Sequence, residues 1–161
     1  MTVSLWGALA GGAVGTILLT SGLRIAQEVG VTRMDIPLLL GTIFTDSRSR
    51  ASLLGYVVHF VNGLLFALVY YAIFRAVGHA GWAFGAALGL VHAAFAGGAL
   101  VTVLLPVMHP RMGTPWTDAE ETPLLEPAGF MLFNYGRSTA LVTLVLHLMY
   151  GAVVGAFAAG L

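Results

Sequence analysis

The chain has 161 residues, of which 58% are hydrophobic and 9% charged, and its mean hydropathy of +0.92 lies far outside the range of a water-soluble domain. A formal net charge of zero excludes the basic surface a nucleic-acid partner needs, and zero cysteines exclude disulfides, thiolate metal centres and cysteine nucleophiles. The composition predicts one integral membrane domain, all-α, with lipid as its solvent.

The first apolar run, residues 3–23, is about the length that crosses a bilayer core and carries no Lys or Arg at its start, so it reads as a retained span rather than a cleaved leader. Residues 24–50 follow as a long connection. Its apolar piece, 36–44, is too short to span, and Pro37 suits a first helical turn, so an interfacial or re-entrant segment is expected between spans one and two. Residues 52–74 form the second span. The short link 75–79 implies an antiparallel hairpin into the third, 80–105, which Pro106 is expected to close. Residues 107–137 contain Pro110, Pro115, Pro123 and Pro127 and cannot form one helix; Thr117 and Glu120 have capping-box spacing for a short turn. The fourth span is 138–159, completing a four-transmembrane-helix bundle.

Arg24, Arg33, Arg48 and Arg50 lie between spans one and two, Arg111 and Arg137 between three and four, and Arg75 alone on the other side. Because basic residues concentrate in short cytoplasmic loops, both termini are expected on the non-cytoplasmic face of a bacterial inner membrane. Trp6 and Trp82 then share that outer interface, and Tyr70, Tyr71 and Tyr135 are expected as further interfacial anchors.

Small residues recur at four-residue spacing: Gly7, Gly11 and Gly15 in span one, Gly81, Gly85 and Gly89 in span three, and Gly151 and Gly155 in span four. Such faces let helix backbones approach closely in lipid, against another span, another copy or another subunit. His92 and His147 fall on these faces, and His59 shares its side with Asn62 and Gly63. At ~1.5 Å per residue the three imidazoles lie at comparable depth. Polar groups at membrane depth point to function, and imidazole ligates transition metals and haem, so His59, His92 and His147 form a candidate cofactor or metal site. Asn62, Thr143 and Tyr150 are candidate supports for those ligands. His109, just beyond span three, is either a fourth ligand or a cap on that helix. Each histidine alone would do no more than donate to a neighbouring backbone carbonyl; their coincidence in depth and face makes a shared site worth testing.

Asp118, Glu120, Glu121 and Glu126 make an acidic cluster that reads as a solvated or partner-facing loop, and Arg24 with Glu28 as a helical pair. No nucleophile elbow, P-loop, dinucleotide fingerprint or His-Glu-x-x-His is present, so the sequence points away from an enzyme.

The stretches GYVVHFVNGLLFALVYYAIF, GAALGLVHAAF, PVMHPRMGTPW and LLEPAGFMLF together resemble the YagU-like group of small bacterial inner-membrane proteins. The resemblance covers about the middle half of the chain and touches His59, His92, Pro115 and Trp116; span four departs from it. It implies a membrane protein linked to acid tolerance and transfers no mechanism. Three readings stay open: a protein binding a transition metal or haem through its histidines, an accessory subunit packed on a larger complex by its glycine faces, and an acid-responsive or proton-conducting protein.

Overall fold

The computed structural model describes residues 3–113 and 124–160. The features expected at Pro115, Trp116, Thr117, Asp118, Glu120, Glu121 and Pro123 therefore fall outside the described residues. The chain is helical: α1 Leu5–Glu28, α2 Ile36–Gly41, α3 Arg48–Val77, α4 Trp82–Ala93, a π-helical stretch Ala94–Leu104, α5 Leu105–Met108, a 3-10 turn Phe130–Tyr135, and α6 Thr139–Ala159. Four helices are long and apolar enough to cross a membrane: α1, α3, the continuous run Trp82–Met108, and α6. Their outward side chains are apolar as well, Leu53, Val57 and Leu65 being more than half exposed. Helices that are apolar on their exposed faces belong in lipid, so this is a multi-pass membrane protein.

Local chemistry sets the helix ends. Ser4 caps α1 by accepting from the Gly7 N–H at 2.9 Å, and Asp35 caps α2 by accepting from Leu38 at 2.9 Å, with Pro37 in its first turn. Gly78, at φ 73°, ends α3 in the left-handed conformation that glycine adopts without strain. Pro106 does not close the third span. It sits in the first turn of α5, where a missing N–H is tolerated, and the helix runs on to Met108. The uniform helix expected there is also corrected, since eleven residues of its middle are π-helical. The Thr102 hydroxyl spans the wider turn, 2.5 Å from the Gly97 carbonyl five residues back.

Packing follows the small residues. α6 lies between α1 and α4, antiparallel to both: Gly7, Gly11 and Gly15 face Phe157, Val154 and Tyr150, while Gly85 and Gly89 meet Gly151 and the His147 backbone. A Cβ on Gly85 or Gly151 would strike the opposite helix's carbonyl, so these backbones are in direct contact. α1 packs on α3 in the same way, with Gly12 against Ala67 and Gly63 against Thr16. The glycine faces thus meet spans of this chain. α3 and α4, although joined by a short turn, make almost no backbone contact; aromatic side chains fill the space, Phe74 and Phe84 at 5.7 Å and Phe66 on His92 at 3.9 Å between ring centroids.

Trp6 and Trp82 are exposed at the same end of the bundle, both level with the last turns of α6. The opposite end is closed by α2, laid on the start of α3 so closely that Gly41 and Gly55 abut the carbonyls of Ala51 and Pro37. There the long connections are laced together: the Arg33 N–H donates to the Tyr135 carbonyl at 2.7 Å, Thr32 and Thr139 hydroxyls meet at 2.8 Å, and Arg33 pairs with Glu126 at 3.2 Å. Tyr135 is buried rather than an interfacial anchor, its phenol donating to the Glu126 carbonyl at 2.6 Å. Burial, with the Glu126 carboxylate adding to it and Arg33 opposing, pushes that phenol up to about 12.

Candidate functional site

The gap that separates α3 from α4 opens into a cavity of about 260 Å³ within the half of the bundle closed by α2. Its wall is apolar except for one polar region. His59 and Asn62 from α3, His92 from α4, and Thr143, His147 and Tyr150 from α6 all reach it, so the three candidate histidines line one space. Leu132 enters from the 3-10 turn, where Met131 and Leu132 hold positive φ of 51° and 65°. Non-glycine residues in that region carry strain, which persists where surrounding contacts fix the backbone; here Asn134 does so, bonding the carbonyls of Pro127 and Ala128.

Each imidazole is oriented by a specific partner. His147 Nδ1 lies 2.8 Å from the Thr143 carbonyl, one helical turn back; a carbonyl only accepts, so Nδ1 carries the proton and Nε2 keeps a lone pair. His59 Nδ1 lies 3.0 Å from the Thr20 hydroxyl, whose own proton goes to the Thr16 carbonyl at 2.7 Å. Thr20 is thereby the acceptor, and His59 too presents an unprotonated Nε2. His92 sits among rings: Phe66 stacked on it, Tyr70 and Tyr150 edge-on, and His147 at 4.7 Å between centroids and nearly perpendicular. The Tyr70 phenol reaches its Nδ1 at 3.5 Å.

The remaining candidates divide. Thr143 supports His147 through its carbonyl, while its hydroxyl is buried with no hydrogen-bond partner. Tyr150 is 2% exposed and donates to the Gly63 carbonyl at 2.5 Å rather than to a histidine. Asn62 lines the cavity, and among the described residues it hydrogen-bonds none of the three imidazoles. His109 does not join the group. Its Nδ1 accepts from the Arg111 N–H at 3.0 Å and its Nε2 donates to the Leu39 carbonyl at 3.0 Å, fastening α5 to α2. Tyr70, expected at an interface, is 3% exposed and belongs to the site, as does Thr20.

The chain matches no family model, and no curated protein or solved structure is significantly similar to it. Among the described residues, no three His, Asp or Glu side chains form a ready-made cage for an ion.

Proposed function

We propose that this membrane protein binds a small lipophilic molecule in the cavity among its spans, with the histidine-bearing wall reading that molecule's polar end. The cavity carries the reading: about 260 Å³, just under the roughly 300–1,000 Å³ of ligand pockets, apolar over most of its wall, with convergent polar groups in one region. The two histidines that the resemblance to the YagU-like group touches, His59 and His92, both line the cavity. We place the protein in a bacterial inner membrane with both termini outside, on the distribution of its arginines.

The test is extraction of the protein with its native lipid in polymer discs, followed by mass spectrometry of the organic extract, beside a Gly97→Leu variant. A Cβ at Gly97 meets only ordinary contacts, the closest being Leu132 at 3.4 Å, so leucine there fills the cavity without striking backbone. A lipophile enriched with the wild type and lost from the variant supports the reading. Indistinguishable extracts overturn it.

A second reading, a transition-metal ion shared by His92 and His147, has one observation in its favour. Imidazoles on a tetrahedral ion with bonds of about 2.0 Å place their ring centroids about 5 Å apart, close to the 4.7 Å between these rings. Trans ligands on a haem iron would stand about 6 Å apart at similar bond lengths, so the spacing favours an ion over a haem. Stoichiometric copper or zinc in protein purified without chelator, lost on His92→Ala, is the expected result of that reading; metal-free wild type removes it.

A further inference from the structure

The hydrogen-bonding pattern of the cavity wall narrows its ligand, given the ligand-binding reading above. We infer that the bound molecule carries a neutral hydroxyl head, alcohol or phenol, on an apolar body.

Two observations point the same way. First, His147 and His59 each spend the Nδ1 proton on a fixed oxygen, Thr143 carbonyl and Thr20 hydroxyl, and neither Nε2 has a partner among the described residues. The wall therefore offers lone pairs to a donor. A ligand hydroxyl satisfies them by donating to an Nε2. A ketone or ether only accepts, and leaves the imidazole lone pairs facing apolar surface. Second, no Arg, Lys, Asp or Glu lines the cavity among the described residues, so a carboxylate or phosphate head would enter without a countercharge. Phe66, which lines the cavity beside His92, suits a flat ring next to the hydroxyl.

The experiment measures saturable binding of 4-heptylphenol, 4-heptylanisole and 4-heptylbenzoate by calorimetry, with the full chain in phosphatidylcholine nanodiscs and empty discs subtracted. The phenol is expected to bind about tenfold more tightly than its methyl ether, the size of one net hydrogen bond, and the benzoate more weakly than either. Equal affinity for phenol and ether, or a benzoate that matches the phenol, overturns the hydroxyl inference and leaves the ligand-binding reading standing. Saturable binding of none of the three overturns both. His59→Leu is expected to narrow the preference of phenol over ether several-fold while the ether's own affinity holds. An unchanged ratio removes His59 from the recognition.

Discussion

His109 holds its two ring nitrogens in opposite roles, Nδ1 accepting from Arg111 and Nε2 donating to Leu39. Burial holds it below the ordinary histidine value, against the pull of the Leu39 carbonyl and with the push of Arg111. Its neutral form is the folded form, because a proton on Nδ1 would face the Arg111 N–H. The stabilisation is therefore complete above the unfolded value of about 6.5 and is lost as pH falls toward the lower folded value. The melting temperature of the wild type should fall more steeply between pH 7 and pH 5 than that of His109→Gln; parallel slopes would count against this role. Tyr150→Phe removes the buried bond to the Gly63 carbonyl and should cost about 1 kcal/mol in unfolding free energy, a loss that chemical denaturation can measure. Of the site's residues, the histidines and Tyr150 were legible because polar groups in apolar runs are conspicuous. Thr20 and Tyr70 were not, since a hydroxyl's role depends on which neighbour folding brings within hydrogen-bonding distance.

Among the helices, glycine spacing foretold which faces touch but not which helices meet. Each glycine pattern on α1, α4 and α6 is compatible with several neighbours, and only the closed bundle assigns α6 to both. A paired substitution tests that assignment. Gly85→Ala should destabilise by about 1–3 kcal/mol through contact with the Gly151 backbone. Gly98→Ala, whose Cβ meets nothing within 4 Å, should leave stability unchanged or raise it by up to about 1 kcal/mol. Equal effects in thermal melts would mean that α4 does not lie on α6. The π-helical stretch left no trace in the sequence pattern, because a shift of hydrogen-bond register changes neither hydropathy nor length. Structurally it matters, since Ala96, Gly97, Leu100 and Val101 on its inner side form part of the cavity wall. The wider turn exposes a different set of side chains to the cavity than an α-helix of the same sequence would.

Across the whole molecule, hydropathy alone was enough for four spans and their order, since crossing a bilayer demands long apolar helices. The cavity was not foreseeable. It exists because glycines draw α4 to α6 while aromatic rings hold it from α3, a balance of volumes between helices distant in sequence. The arginine bias makes a prediction at this scale, and a chain without cysteine is convenient for testing it. His79→Cys, in the turn between α3 and α4, should react with a membrane-impermeant maleimide on intact cells, and Ser47→Cys only after lysis. The reverse pattern would invert the topology.

The place of α6 has a consequence for how the protein is made. It is the last of the four spans in chain order, yet it is the one that both α1 and α4 pack against. While the ribosome is still delivering it, the three earlier spans stand in the bilayer with their glycine faces bare and the future cavity missing a wall. That half-finished assembly offers lipid-exposed backbone to quality-control proteases, so a nascent chain stalled before Thr139 should be short-lived. Pulse-chase labelling of a chain truncated before Thr139, beside the wild type, measures that difference in lifetime; equal lifetimes would mean that the first three spans hold together without α6.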